Sequence, residues 1–479
     1  MFKNINCKNL PSLRRNIVYQ FLYELLIVFI PLFTIPYVSR VLGAENIGLF
    51  SYTYAVANYF VLFANLGIKN YGSRTIAMVR NNKEELNRNF SEILSIHIIF
   101  SIIVIFVYLV LLFFFVEDNL VIFLIQSIYV FAAVFDINWF FFGIEKFKLT
   151  VGRNTLVKIL SVFLVLVFVK TQTDLWIYAL ILALSVFVGQ SVVWFALKQY
   201  VSWRRPSWAN MKQHIRPLFV LFLPILALSL YKYMDKIMLG SISSNVQVGF
   251  YENAEKIINV PMSLIMAFGV VLMPRIANMV TSKDKGEVFK LIDMSMEAVM
   301  LLAIAISFGL AGISFVLAPI FFGYEFEECG ILIMGLAVTV PFMAFANVIR
   351  TQYLIPYKED KIFVVSLFLG AAVNLIVNII LIPYMAARGA VIGTIFAEII
   401  VCIYQSYFVR KKIFIKKYLL NTIPPILIGI VMFVFVFQIG NVMNINIVTL
   451  ILQLLVGMFI YAVGVFLLML KSRTRLMVL

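Results

Sequence analysis

The feature that most constrains this chain is a series of apolar stretches, each of roughly the 20 residues that a helix needs to cross a bilayer. Leu301–Phe322, for example, contains no charged residue. About fourteen such stretches follow one another along the 479 residues. Hydrophobic residues make up 63% of the chain and charged residues 13%. This composition excludes a soluble globular enzyme, a disordered chain and a disulfide-stapled secreted module, and it predicts an all-α polytopic membrane protein.

The basic residues predict the orientation of these stretches. The net charge is +16, from 39 Lys and Arg against 23 Asp and Glu. If the N-terminus is cytosolic, 33 of the 39 lie in segments assigned to the cytosolic side, and that count includes Arg153 and Lys158. Cytosolic loops carry such an excess of Lys and Arg. We therefore predict that both termini are cytosolic, and the positive charge requires no nucleic-acid partner.

Several classes of active site have no sequence signal. The connections between apolar stretches are short, and neither a P-loop pattern nor a D-x-D pair is present. The three cysteines, Cys7, Cys329 and Cys402, are scattered and predict neither a disulfide nor a metal site. The first apolar stretch is too long for a cleavable signal peptide. We expect no catalytic residue, no metal and no cofactor.

An internal repeat organises the chain. Residues 37–52 and 233–251 share a Tyr, a cation three residues later, a Leu-Gly pair, and a Gly followed by aromatic residues. The predicted domains are therefore an N-terminal lobe of six helices (1–200), a C-terminal lobe of six (201–412) and two additional helices (413–479). Because six is even, both lobes enter the membrane in the same direction. We expect a pseudo-two-fold axis along the membrane normal, the plan of a parallel-repeat transporter.

Charged residues at membrane depth are candidates for function, because each needs a partner or a wet cavity. Arg40 and Lys236 occupy matching places in the repeat, and the sequence shows no evident local partner for either. We predict a cationic seam between the lobes that binds phosphate, with tyrosines for sugars. An alternative is internal pairing of Lys232 with Asp235 and of Glu252 with Lys256, or an Arg40 that reaches the membrane surface. The predicted substrate-binding residues are Arg40, Lys232, Lys236, Lys256, Tyr37, Tyr233 and Tyr251.

Four acidic residues within the apolar stretches are candidates for ion coupling: Glu24, Asp136, Asp235 and Glu398. Asp136 and Glu398 stand at matching places in the two halves, and a structural hydrogen-bonding role is favoured for both. His97, near the start of the third stretch, is interpreted as a packed residue rather than a proton relay.

Five stretches resemble the Wzx-type polysaccharide repeat-unit flippases, members of the polysaccharide transporter family in the MOP superfamily. They occur in order along nearly the whole chain, and none is decisive alone. They are Pro36–Gly43 with Gly48–Ser51, Asp136–Phe147, Asp235–Gly240 with Val248–Ala254, Pro274–Arg275, and Asn374–Asn378 leading through Pro383 to Gly389–Glu398.

The resemblance implies two helical bundles around a cationic cavity, with no enzymatic turnover. It implies alternating-access export of an undecaprenyl-diphosphate-linked oligosaccharide from the cytosolic to the outer leaflet of a bacterial plasma membrane. Candidate partners are the bilayer, a polysaccharide polymerase and other assembly proteins. A lipid II flippase and a MATE-like drug or cation antiporter are the alternatives within the superfamily. A membrane-embedded glycosyltransferase is a further alternative, disfavoured by the missing D-x-D and the short loops.

Overall fold

The computed structural model describes the backbone of residues 10–281 and 285–477. Within those ranges the regular elements are helical and no strand occurs. Fifteen α-helices are described there: α1 (Leu10–Asn65), α2 (Ile68–Val79), α3 (Lys83–Phe115), α4 (Leu120–Val134), α5 (Asn138–Gly143), α6 (Phe147–Phe168), α7 (Leu175–Leu197), α8 (Trp208–Ile242), α9 (Asn245–Thr281), α10 (Lys285–Phe322), α11 (Cys329–Ala337), α12 (Thr339–Ile349), α13 (Asp360–Val409), α14 (Ile415–Val442) and α15 (Ile447–Met477). A π-helical turn, Arg350–Leu354, follows α12.

Twelve helical segments in the described parts of the chain are long and apolar enough to cross a membrane. Two of them, Ile30–Val79 and Asp360–Val409, are 50 residues long. A residue outside helical geometry interrupts a helix in each, Gly43 (φ 77°) in α1 and Ala386 (φ 47°) in α13. The first segment also turns at Leu66 and Gly67, between α1 and α2. Counting each long segment as two gives the fourteen spans expected from hydropathy. The positive φ at Gly43 is one that glycine adopts without a Cβ penalty.

The chain forms two compact units, which are described separately. Unit 1 comprises the described residues up to Leu42 together with Phe50–Ser229. An apolar core of this unit brings together residues of α2, α3, α5, α7 and the first half of α8, including Ile76, Phe90, Trp139, Val193 and Leu218. Because the first half of α8 contributes to this core, unit 1 extends past the predicted domain boundary at residue 200.

Unit 2 comprises Gly43–Leu49 and the described residues from Leu230 onward. In this unit α10 packs against α9, α11, α12, α14 and α15, and α14 also packs against α15. The two additional C-terminal helices are therefore attached to unit 2 through α10. The helix α8 is divided between the two units, because its last residues, from Leu230 to Ile242, belong to unit 2.

The repeat is only partly in register. Gly43 ends a helix, whereas Gly240 lies inside α8 and is not among the glycines with positive φ. The second glycines of the repeat correspond closely. A Cβ on Gly48 would collide with the Asn245 carbonyl oxygen, and a Cβ on Gly249 would collide with the Ala44 carbonyl oxygen. Residues 44–48 and 245–249, both in unit 2, therefore cross reciprocally at backbone contact distance.

Candidate functional site

In unit 1, Tyr37 and Arg40 lie just before the break at Gly43. The Tyr37 hydroxyl donates to the Val169 carbonyl at 2.7 Å, and the Lys170 ammonium donates to the same hydroxyl at 3.3 Å. Lys170 also lies 5.6 Å from the centre of the Tyr37 ring. The Arg40 side chain is exposed. A cation therefore contacts Tyr37 at this helix end, but it is Lys170, which the sequence-based site did not include.

In unit 2, four charged residues form what we call the charge quartet: Lys236, Glu252, Glu255 and Lys256. The Lys236 ammonium lies 2.5 Å from a Glu252 oxygen and 2.9 Å from a Glu255 oxygen. The second Glu252 oxygen lies 3.1 Å from the Lys256 ammonium. The expectation that Lys236 has no local partner was wrong, because α9 places two carboxylates against it. The alternative of a Glu252–Lys256 pair was correct.

The quartet carries no net charge, with two ammonium groups against two carboxylates. The Lys236 side chain is 9% exposed and that of Glu252 14%. A buried ion pair persists where each charge is compensated, because an isolated buried charge is costly. The quartet therefore fixes α8 to α9, and an anion that approaches Lys236 meets an ammonium group that two carboxylates already contact.

The neighbouring residue Asp235 forms a second polar group, the Asp235 cluster, with Tyr251, Asn378 and Thr394. One carboxylate oxygen accepts from the Tyr251 hydroxyl at 2.6 Å and from the Thr394 hydroxyl at 2.9 Å. The other accepts from the Asn378 amide at 2.5 Å. The proposed Lys232–Asp235 pair is not formed. Tyr251 is buried and uses its hydroxyl within the protein.

Lys232 and Tyr233 lie at the start of this part of α8. The Lys232 ammonium lies 5.4 Å from the centre of the Tyr233 ring, a cation–π distance. Lys232 is exposed and Tyr233 half-buried. Of the lysines in the sequence-based site, Lys232 is thus free of the acidic contacts seen at Lys236 and Lys256 among the described ion pairs.

Asp136 has a local structural contact in unit 1. One of its oxygens accepts from the Asn138 backbone N–H at 3.0 Å and from the Asn138 amide at 2.7 Å, at the start of α5. The Asn138 amide also donates to Gln190, and Arg153 donates to the Asn138 oxygen at 3.2 Å. These contacts support the hydrogen-bonding role that the sequence favoured for Asp136.

Two cations that the sequence analysis assigned to a cytosolic loop lie inside a span. Arg153 and Lys158 belong to α6, whose apolar segment is Leu149–Phe168. Lys158 is the tenth of these 20 residues, about 15 Å of helix rise from either end. Its side chain is half-buried, and no acidic partner occurs among the described ion pairs. Lys158 lies within the apolar stretch 154–170 of the sequence, and that position was the signal that could have identified it.

Two further ion-coupling candidates are Glu398, whose side chain is described, and Glu24, whose side chain is not. Glu398 is buried in the second part of α13 and interacts electrostatically with Arg350 in the π-helical turn. Glu24 lies in α1, but its side chain is outside the described residues. Within the described chain, no group of three or more His, Cys, Asp or Glu residues is arranged to hold a metal ion.

An apolar cavity of about 470 Å³ opens beside the additional helices in unit 2. α10, α14 and α15 supply most of its lining, and Pro261 of α9 contributes. The lining includes Leu310, Met432, Leu454 and Met458. A cavity with these walls suits a hydrocarbon chain and offers little to a charged or sugar group.

The fold and these membrane-depth charges define a polytopic helical membrane protein of the transporter type. The chain belongs to the family described as "Polysaccharide biosynthesis protein", which matches residues 13–280. It is 24% identical to the "Putative O-antigen transporter" of Shigella dysenteriae, over 82% of this chain and 99% of that protein. The similarly named protein of Escherichia coli (strain K12) is 26% identical over 84% and 98%.

Solved structures show the same fold at low sequence identity. The lipid II flippase MurJ in an inward closed conformation matches with a TM-score of 0.74 and 15% identity, over 95% of this chain and 99% of that one. An inward-facing MATE multidrug-resistance transporter of the MOP superfamily matches with a TM-score of 0.62 and 14% identity, over 82% and 97%. The predicted all-α polytopic fold is therefore confirmed.

Proposed function

We propose that the protein is a flippase for undecaprenyl-diphosphate-linked oligosaccharide units used in surface polysaccharide synthesis. The observation that carries this proposal is membership of a polysaccharide biosynthesis family on a transporter fold. The two O-antigen transporter relatives, matched over nearly their whole length, support the same substrate class. The protein moves the lipid-linked unit from the cytosolic to the outer leaflet and does not change it chemically. The termini are placed in the cytosol by the distribution of Lys and Arg.

The lipid and its headgroup need different surroundings, and unit 2 offers the apolar one. We assign the hydrocarbon tail to the cavity between α10, α14 and α15, since its walls are apolar. The diphosphate requires cations near the middle of the membrane. Lys158, near the middle of its span in unit 1, is assigned this role. Lys232 and Arg40 stay predictions from the sequence-based site.

Lys236 and Lys256 enter the mechanism differently from Lys232. A diphosphate approaching Lys236 competes with Glu252 and Glu255 for the same ammonium group. Binding there is therefore an exchange of partners, which loosens the link between α8 and α9. Tyr37 and Tyr233 keep the sugar-contacting role proposed from the sequence, whereas buried Tyr251 acts through Asp235.

The membrane potential gives the transport a direction. Moving a charge of about −2 out of a cell whose interior is negative is favourable by roughly 4–5 kcal/mol per 100 mV. Asp235 is the candidate through which a proton or a monovalent cation would add to this driving force. It is a buried carboxylate without a basic partner among the described ion pairs, and hydroxyl and amide groups surround it.

Deletion of the gene followed by lipid analysis tests the function. Lipid-linked repeat units should accumulate on the cytosolic leaflet, and the wild-type gene should restore export. If the units reach the outer leaflet at the normal rate without the protein, the proposal fails. A second experiment distinguishes the alternative of a lipid II flippase. The protein is expressed in cells depleted of their own lipid II flippase, and rescue of growth would favour that alternative.

The variant Lys158→Gln tests whether Lys158 binds the diphosphate. Loss of a charge-assisted contact worth about 1.5–3 kcal/mol should reduce export by tenfold or more, with an unchanged unfolding temperature. Export is measured as surface polysaccharide at matched protein levels. Lys158→Arg should retain most export, and Lys361→Gln, at an exposed position on α13, is the matched control. Normal export by Lys158→Gln would remove Lys158 from the site.

A further inference from the structure

Unit 1 contains a buried acid–base pair that the mechanism above does not use. The His214 Nε2 atom of α8 lies 2.9 Å from a Glu92 oxygen of α3, and these side chains are 3% and 1% exposed. The other imidazole nitrogen, Nδ1, lies 2.7 Å from the Tyr71 hydroxyl of α2. One chain of contacts therefore joins α2, α3 and the first half of α8.

The chemistry of the three groups allows two protonation states with the same heavy-atom positions. In a neutral imidazole protonated on Nε2, this atom donates to Glu92 and Nδ1 accepts from Tyr71. In an imidazolium both nitrogens donate, so the Tyr71 hydroxyl becomes an acceptor. Proton uptake thus reverses one hydrogen bond and breaks none. The second Glu92 oxygen is buried and has no hydrogen-bond partner in the structure.

The two states differ in net charge. With His214 as the imidazolium, the Glu92–His214 pair is neutral overall. With a neutral imidazole, the interior holds a carboxylate charge that no cation among the described ion pairs compensates. An uncompensated buried charge is costly, so the protonated pair favours the packed arrangement. Proton release therefore opposes docking of the first half of α8 against α2 and α3.

Most other acidic and basic side chains of the packed elements are exposed, and His97 is the exception among those described. His97 of α3 is also buried, and it interacts electrostatically with Asp136 just before α5. The remaining charged side chains of α2, α3, the segment before α8 and the start of α8 are exposed: Lys69, Arg74, Lys83, Glu84, Glu85, Arg88, Arg204, Arg205, Lys212 and Arg216. Their charges are screened by solvent, so they compensate the buried pair weakly.

We infer that Glu92, His214 and Tyr71 form a proton-binding site, the proton site, whose occupancy controls how firmly the first half of α8 is docked in unit 1. The ligand is a proton, and the responsive element is residues 208–222. The inference does not depend on the identity of the transported substrate.

Hydrogen–deuterium exchange on the full-length protein in nanodiscs tests the inference. After correction for intrinsic exchange, peptides from residues 208–222 should exchange faster at pH 8.5 than at pH 6. The increase is up to about tenfold for each pH unit over which one proton is released. Peptides from residues 301–318 of α10 serve as the internal control, because this segment contains no ionisable side chain. An exchange rate of 208–222 that does not change with pH would overturn the inference.

Variants separate proton binding from simple packing. Glu92→Gln keeps a hydrogen-bond acceptor without the charge. Exchange of residues 208–222 in this variant should therefore be slow at both pH values. His214→Gln leaves the carboxylate uncompensated, so exchange should be fast at both pH values. The double variant Glu92→Gln/His214→Gln is neutral and should recover slow exchange at both, even where the single His214 variant is unstable.

His97→Gln is the matched histidine control, since the chain has only two histidines. It should keep the pH response of residues 208–222. A pH response that survives in Glu92→Gln, or one that disappears in His97→Gln, would contradict the proton site.

Discussion

The two halves of α8 are held by different chemistry. The first half is fixed within unit 1 by a buried pair, Glu92 and His214, whose net charge depends on one proton. The second half is fixed within unit 2 by Asp235 and Lys236, which contact hydroxyl, amide and carboxylate groups. A lysine ammonium compensated by two carboxylates does not titrate in the physiological range.

This difference separates a responsive attachment from a permanent one. In unit 2 the contacts of α8 involve α9 and α13, and two carboxylates of α9 compensate the Lys236 ammonium whichever protonation state the Glu92–His214 pair adopts. Pro217 and Pro224 lie in the first half of the same helix and remove backbone hydrogen bonds there. We therefore expect the first half of α8 to be the part whose docking varies.

The largest expected effect comes from breaking the permanent attachment. Lys236→Met leaves Glu252 and Glu255 side by side without their shared cation, which should destabilise the protein by about 3–5 kcal/mol. Thermal unfolding in detergent measures this loss. Lys417→Met, which removes a more exposed pair with Asp293, is the control and should cost less than about 1 kcal/mol. Equal shifts for the two variants would show that the quartet does not hold α8.

Asp235→Asn should have an intermediate effect. The amide keeps the size of the side chain but loses the charge that strengthens three hydrogen bonds, at a cost of about 1.5–3 kcal/mol. The same unfolding assay measures the cost, and Asp293→Asn provides a more exposed comparison. Export by Asp235→Asn should also lose its dependence on the driving ion. An ion dependence equal to that of the wild type would exclude Asp235 from coupling.

The smallest effect is expected at the edge of the proton site. Tyr71→Phe removes one hydrogen bond to the His214 ring, so docking of the first half of α8 should weaken by about 1 kcal/mol. Exchange of residues 208–222 at pH 6 should therefore accelerate about fivefold. Tyr324→Phe, at a side chain that is 71% exposed, should leave this exchange unchanged. A slower exchange in Tyr71→Phe would show that the hydroxyl opposes docking.

Much of the fold could be predicted from hydropathy and from short residue spacings. A run of apolar residues must span the bilayer as a helix, so fourteen spans could be read directly, including the two pairs that continue through Gly43 and Ala386. The Glu252–Lys256 pair was also within reach, because residues four apart share a helix face. Both predictions depend only on local sequence.

The contacts that could not be predicted from the sequence are those that join different helices. Glu255 and Lys236 are 19 residues apart on α9 and α8, and Glu92 and His214 are 122 residues apart. No periodicity relates such positions, so Lys236 was expected to lack a partner and the proton site was missed. Lys158 was misplaced for another reason, because counting charges by loop assigned a residue inside a span to the cytosolic side.

The reciprocal crossing of residues 44–48 and 245–249 has a consequence for how this chain is organised. Each glycine meets the backbone of the other segment four residues before its counterpart, so the contact is self-complementary. Two-fold homodimers are joined by interfaces of this isologous kind. Here the two faces belong to one polypeptide. A side chain added at either glycine would collide with the backbone of the other segment. The two segments are therefore constrained as a pair, as the matching surfaces of a dimer would be.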